Sequence, residues 1–295
     1  TLCVIPEEDI MLPFDYIQRE SINFWNSVPT LGNFMLRLNL LKENVFPSLK
    51  YSTFCGEQFP QKLAEAWMIA APNSSVENLY GPTETTIYIS RFKYKKNSKE
   101  YRNSIVPIGR PFKEHSVIIL DDENQKAPNG TIGQIAFKGP QVSLGYLNDK
   151  ERTNKSFIKL ELDKTGSIWY QTGDLGFVNN EDNLECIGRS DNQIKIAGRR
   201  IEIGEIENAM LKSEKLDDII IVPVKNDSGI TVSLIAVTTS SLDKGDEKSI
   251  FEKSLEYIDS IFLPKKIEKI SHIPTMASGK VNRKKILNDL KNSKI

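Results

Sequence analysis

The first hundred residues alternate between helical and extended patterns, and that alternation restricts the fold more than any other feature of the chain. FDYIQRESI reads as helix and NFW as a short strand. LGNFMLRLNLL follows as a helix with Phe34, Leu36, Leu38 and Leu41 at apolar positions. KYSTFCGE is then extended, PQKLAEAWMIAA helical with Pro60 at its start, and VENLYG extended again. Strands separated by helices pair in parallel, so the pattern predicts a parallel sheet with helices packed on it.

The pattern changes twice more. From Ile105, the runs HSVIIL, GQIAFKG, SIWYQTG, LGFVN and LECIG are separated by turn clusters, which predicts a small barrel or sandwich. From Asp191, NQIKIAG, DIIIVPV, TVSLIAVTT and KKIEKI are extended, while IGEIENAML, EKSIFEKSLEYI and VNRKKILNDL are helical. That is an α+β module of roughly 100 residues. The expected fold class is therefore mixed α/β and α+β, with an α/β subdomain over 1–104, a β-barrel subdomain over 105–188, a hinge at 189–192 and an α+β domain over 193–295.

Composition excludes several classes. Lys and Arg number 39, as do Asp and Glu, so the formal net charge is zero and neither nucleic acid nor an anionic membrane is expected as a partner. There is no signal-like start and no apolar run of the ~18 residues that a membrane-crossing helix needs. Basic KYKKNSK, Lys93 to Lys99, reads as a solvated loop. Cys3, Cys55 and Cys186 are odd in number and widely spaced, as expected for thiols of a reducing cytoplasm. With His115 and His272 they make no usual zinc spacing.

Three stretches carry candidate chemistry. In NLYGPTETTIY a strand stops at Gly81-Pro82, placing the Thr83 hydroxyl and the Glu84 carboxylate outside the sheet edge, where ligands of α/β sheets bind. A hard carboxylate oxygen beside a hydroxyl suits a nucleotide phosphate with Mg²⁺. In YQTGDLGFVNNEDNLECIGRSDNQIKIAGRRIEIGEIE, Asp174 follows a glycine at an expected strand end, Arg189 precedes the small polar pair Ser190-Asp191, and Gly198 permits close approach. In TMASGKVNRKKI, Lys280 sits on a glycine-containing loop from which it can reach a phosphate or a carboxylate. Singly, each also reads as an ordinary turn, a surface ion pair or a solvated lysine.

Taken together and in this order, YGPTETT, YQTGDL, GRSDNQIKIAGRRIEIGEIE and SGKVNR resemble the late motifs of the adenylate-forming superfamily, over nearly the whole chain. The GRSDNQIKIAGRRIEIGEIE run is similar to the amino-acid-activating branch, which comprises peptide-synthetase adenylation domains and D-alanine:carrier-protein ligases. STFCGEQFP and GPQVSLGYLND are similar to the ligases in particular. The resemblance implies ATP-dependent formation of an aminoacyl-AMP, then transfer to the phosphopantetheine thiol of a carrier protein. In it, Thr83 binds the α-phosphate and Glu84 ligates Mg²⁺. Tyr80, Gly81 and the Gly56-Glu57 segment lie about the nucleotide, and Asn78 reads the adenine amino edge. Asp174 holds the ribose hydroxyls, supported by Arg189, and Lys280 bridges the substrate carboxylate and the nucleotide. Asp191 is the hinge of a mobile C-terminal domain, and Gly198 faces the thiol's route. Asn26, Thr53, Cys55, Leu79, Ile87 and Tyr88 line the pocket for the amino acid side chain.

The chain departs from the family pattern in several places. The Ser/Thr/Gly-rich phosphate loop ending in Pro-Lys-Gly is not found, nor is the motif supplying an aspartate for the substrate amino group. Thr1 is not Met and the sheet starts in mid-pattern, so the expectation is the C-terminal part of a longer enzyme, inactive without its N-terminal half. Cys186 stands where many relatives place an aromatic residue, and Asn282 where an acidic one is usual. An acyl- or aryl-CoA ligase, or a truncated homologue that binds nucleotide or carrier without turnover, is the alternative.

Overall fold

In the computed structural model, residues 1–95, 101–189, 193–226, 230–276 and 281–292 are described. They divide into two units, Thr1–Asp191 and Asn192–Ile295.

The alternating segment folds as α1 (Phe14–Arg19), β1 (Phe24–Ser27), α2 (Pro29–Arg37), β2 (Tyr51–Phe54), α3 (Gln61–Ala70) and β3 (Ser75–Tyr80). Pro60 caps α3, a position where its missing N–H costs no helical hydrogen bond. Strands β1, β2 and β3 pair in parallel, with Asn26 beside Thr53 and Thr53 beside Glu77. One face of this sheet is covered. Phe54 stacks on Phe59 at 4.5 Å and meets the Trp67 ring edge-on at 5.0 Å. Ile17, Trp25, Met35, Phe46, Leu63 and Val76 complete that core. On the opposite face Phe24 and Tyr51 remain 60% and 55% exposed.

The sheet is not parallel throughout. After β3 come β4 (Ser90–Lys93) and β5 (Arg110–Pro111), both antiparallel to their neighbours, in the order β1-β2-β3-β4-β5. The 81–89 loop is too short for a crossover, so the chain can only double back.

A second sheet is built from β6 (Ser116–Leu120), β7 (Gly133–Lys138), β8 (Phe157–Lys159), β9 (Ile168–Val178) and β10 (Leu184–Arg189), with α4 (Lys150–Ser156) before β8. All pairs are antiparallel, in the order β10-β9-β7-β6, with β8 on β9. The expected barrel is thus an open sheet among the described residues. SIWYQTG and LGFVN, expected as separate strands, are one strand, because Gly173 at φ +75° takes up the kink between them. Tyr80 of the first sheet and Ile89 of the loop after it pack with Ile119, Ile135, Phe137 and Leu184 of the second, joining the two.

The second unit comprises β11 (Gln193–Ile196), β12 (Arg199–Glu202), α5 (Ile203–Leu211), β13 (Ile220–Lys225), β14 (Thr231–Thr238), α6 (Asp246–Ser254), β15 (Ile267–Lys269) and α7 (Arg283–Asn292). Strands β11 and β12 form a hairpin, and β13-β14-β15 a three-stranded sheet. Ile194, Ile206, Met210, Ile221, Leu234 and Ile250 form its main core, while Val222, Val237 and Ile286 form a second cluster.

Candidate active site

Strand β3 ends at Tyr80, and the loop after it turns back at once. Residues Thr83–Thr85 make one 3₁₀ turn, and Ile89 N–H returns a hydrogen bond to the Tyr80 carbonyl at 2.8 Å. This closure requires glycine at 81, since a Cβ there would lie 2.5 Å from the Ile87 carbonyl oxygen. Thr86 and Ile87 both hold left-handed backbone, φ 56° and 70°. For a β-branched residue that conformation is strained, and such strain persists only where surrounding contacts impose it. Here Thr86 Oγ1 donates to the Gln141 carbonyl at 2.9 Å, and Gln141 Nε2 donates to the Tyr88 carbonyl at 3.0 Å.

Asp174, Tyr80 and Arg189 are brought together. The Tyr80 phenol donates to Asp174 Oδ2, and Arg189 Nη1 lies 2.8 Å from Asp174 Oδ1. Arg189 ends β10 directly opposite Asp174 on β9. Asp174 lies within the strand, not at its end, on an irregular stretch where Thr172, Gly173 and Asp174 face the single residue Ile135. Burial pushes the Tyr80 phenol well above its ordinary pKa, and the Asp174 charge adds to this, so the phenol stays a donor.

Asn78 is buried, and its Nδ2 donates to the Val106 and Pro107 carbonyls at 3.1 and 3.0 Å. Those bonds turn the amide oxygen the other way, and Asn78 Oδ1 has no protein partner. Glu84 is buried too. Its Oε1 accepts from the Tyr146 phenol at 2.6 Å and its backbone carbonyl from Ser143 N–H at 2.9 Å. Burial raises the Tyr146 pKa, and the bond to Glu84 raises it further. Thr83 is exposed at the mouth of the same loop.

At the carboxyl ends of β1 and β2, Thr53 Oγ1 donates to Asn26 Oδ1 at 2.9 Å and the Tyr88 phenol reaches the same oxygen at 3.3 Å. Burial raises the Tyr88 pKa, with the neighbouring Cys55 as the next cause. Four of the six pocket candidates therefore form one group, and Leu79, half-buried, alternates onto the same sheet face as Thr53. Ile87 is 60% exposed. Glu57 Oε2 accepts from Thr30 N and Oγ1 at 2.9 and 2.7 Å, fixing the first turn of α2. Gly56, just before it, has φ +90°.

Gly198 follows Ala197 in the two-residue turn of the β11–β12 hairpin, both at positive φ as a type I′ turn demands. Lys280 and Asp191 lie outside the described residues. Tyr146 and Gln141 were not singled out from the sequence, although both belong to the GPQVSLGYLND stretch.

The donor set fits a hard divalent cation bound mainly by phosphate, since Glu84 is the one carboxylate of the 81–89 loop and no group of three or more His, Cys, Asp or Glu gathers among the described residues. The orphan Asn78 oxygen fits an exocyclic amine.

The AMP-binding enzyme family matches residues 1–147. A D-alanine--D-alanyl carrier protein ligase of Bacillus cereus (strain G9842) is 32% identical over 297 residues, covering 98% of this chain and 58% of that one. The chain is similar to that family over residues 1–147 and to the ligase over nearly its whole length. Among solved structures, the Vibrio cholerae adenylation domain AlmE, in complex with glycyl-adenosine-5'-phosphate, superposes with a TM-score of 0.86 at 31% identity, covering 98% of this chain and 53% of that one. PA1221, a nonribosomal peptide synthetase protein containing adenylation and carrier domains, shares the fold at a TM-score of 0.76 and 22% identity over 94% of this chain and 46% of that one. The chain thus spans 58% of the length of the curated relative it matches. Among its described residues no helix is long and apolar enough to cross a membrane.

Proposed function

We propose that this chain is the nucleotide- and carrier-facing part of an AMP-forming ligase that activates a small amino acid. The supporting observations are two groups at the carboxyl ends of the parallel strands: Asn26, Thr53, Cys55 and Tyr88 about the ends of β1 and β2, and Tyr80, at the end of β3, with Asp174 and Arg189. D-alanine and glycine appear in the descriptions of two of the relatives above 30% identity, the ligase and AlmE.

The reaction is substitution at phosphorus. A carboxylate oxygen of the amino acid attacks the α-phosphorus of ATP and pyrophosphate leaves. A phosphopantetheine thiol then attacks the acyl carbon and AMP leaves. Such chemistry asks the protein for placement and charge neutralisation. Asn78 Oδ1 accepts from the adenine amine, Tyr80, Gly81 and Gly56 border the ring, and Asp174 accepts from the ribose hydroxyls while Arg189 holds it. A carboxylate has room for these bonds beside the two it already accepts. Thr83 donates to the α-phosphate. Glu84 holds Mg²⁺, which when bound offsets phosphate charge. Lys280 adds a cation during attack, with Asp191 as the hinge and Gly198 bordering the thiol's route. The setting is a reducing cytoplasm, in keeping with three cysteines of which none is in a disulfide.

The remaining length that the relatives carry would cover the bare face of the first sheet, because parallel strands are stable when both faces are covered. Phe24 and Tyr51 would be buried there, and the pocket walled. The test is ATP–pyrophosphate exchange on the protein extended to its relatives' length, with amino acids set against fatty and aryl acids. Exchange driven by small amino acids is expected. Exchange driven by fatty or aryl acids alone, or by none, overturns the proposal.

A further inference from the structure

We infer that Tyr146 is a positioning residue for Glu84, fixing the carboxylate in the orientation from which it meets a divalent cation. The inference rests on reading Glu84 as the cation's protein ligand. Glu84 is 7% exposed, and a buried carboxylate is stable only with hydrogen-bond donors around it. One donor is the Tyr146 phenol, 2.6 Å from Oε1. The backbone of the same residue is tied to the same segment, since Ser143 N–H donates to the Glu84 carbonyl at 2.9 Å. Glu84 is thereby docked onto the 139–146 segment by both its main chain and its side chain.

Tyr146 is itself held from several sides. Its N–H donates to Thr153 Oγ1 on α4 at 2.9 Å. The Arg152 guanidinium lies 4.4 Å from the centre of its ring, and Phe157 meets that ring edge-on at 5.5 Å. Arg152 is placed in turn by its N–H bond to Asp149 Oδ1 at 2.9 Å, the cap of α4. A phenol anchored this way cannot follow the carboxylate if it rotates, so the carboxylate must conform to the phenol. Groups that hydrogen-bond a metal ligand from outside orient it, and their loss weakens metal binding about 10- to 100-fold.

The test is a Mn²⁺ titration of the 295-residue chain at saturating ATP, followed by electron paramagnetic resonance. Wild type is compared with Tyr146→Phe, Thr153→Val and Glu84→Gln. Tyr146→Phe keeps the ring contacts and removes one donor to a buried carboxylate, so it should stay folded with its unfolding midpoint lowered by a few degrees while Mn²⁺ affinity falls about tenfold. Thr153→Val, which loosens the anchor and keeps the phenol, should cause a smaller loss in the same direction. Unchanged Mn²⁺ affinity in Tyr146→Phe, with clear loss in Glu84→Gln, overturns the positioning role and leaves the ligand assignment standing. If Glu84→Gln binds as wild type does, or wild type adds nothing to the Mn²⁺ affinity of ATP alone, the ligand assignment falls and the inference with it.

Discussion

Replacing Asp174 by Asn tests whether the ion pair at the proposed ribose site behaves as a buried unit. The side chains of Arg189 and Asp174 are 12% and 7% exposed, and their bond is 2.8 Å long. Asp174→Asn removes the charge that Arg189 Nη1 faces at a place where water scarcely reaches. Breaking such a pair from one side costs about 3–5 kcal/mol, and the lower end applies because the new amide oxygen still accepts one bond. For a folding unit of this size each kcal/mol moves the melting temperature by about 2–4 °C, so ~3 kcal/mol predicts a fall of about 6–12 °C. Tryptophan fluorescence is a selective probe, because Trp25, Trp67 and Trp169 are the chain's three tryptophans and all lie in the Thr1–Asp191 unit. Arg189→Met should cost a similar amount, and the double variant less than the sum, with a coupling of about 1–3 kcal/mol. Additive losses within about 0.5 kcal/mol would refute the coupled pair.

Three other outcomes are expected. Gly81→Ala forces the loop away from β3, since the clash is with backbone, and should cost about 1–3 kcal/mol; hydrogen exchange should quicken across residues 83–89, and unchanged protection there would count against the closure. The Lys138 ammonium, and then Thr165, hold the Asp163 carboxyl well below the usual carboxylate range. A depressed carboxylate stabilises above its unfolded pKa of about 3.9 and loses that contribution as pH falls through the folded value, so wild type should melt progressively lower below about pH 4 while Asp163→Asn changes less; parallel acid profiles would contradict this. Hydroxyl-radical labelling should mark Phe24 and Tyr51 heavily in this chain and spare them once the relatives' remaining length is joined, and equal labelling would argue against that surface being covered.

Local patterns carried the first unit's early elements well. Helix α3 was legible because Leu63 and Trp67, four residues apart, both turn into the core, and β3 because Val76 and Tyr80 alternate with half-buried residues. What was not legible depends on contacts distant in sequence. The direction of β4 is set by the length of the 81–89 loop, and whether β6 meets β10 is decided by no pattern within either strand. Asp174 was expected at a strand end because Gly173 precedes it, yet pairing with β10 includes Asp174 and pairing with β7 resumes at Leu175. The roles of Asn26, Thr53 and Tyr88 came from resemblance alone. Thr53 and Tyr88 converge on Asn26 from 27 and 62 positions away, and no periodicity records such meetings. Tyr146 shows the limit plainly: an aromatic in a loop, it reads as packing until Glu84, 62 residues earlier, is found beneath its hydroxyl.

The two carboxylates proposed to face the nucleotide are held in the same way from opposite sides. Asp174 belongs to the second sheet and accepts a hydrogen bond from the Tyr80 phenol of the first; Glu84, between β3 and β4 of the first sheet, accepts one from the phenol of Tyr146, which follows β7 of the second. Each sheet therefore supplies the hydroxyl that orients the other's acid. Neither carboxylate can keep its geometry if the sheets slide, because each bond spans the junction packed by Ile89, Ile135 and Leu184. Core packing at that junction is thereby coupled to the site. A cavity-forming change such as Ile119→Ala, in the same cluster but on β6, should disturb both ends of the site together, whereas loss of one phenol should disturb only its own carboxylate.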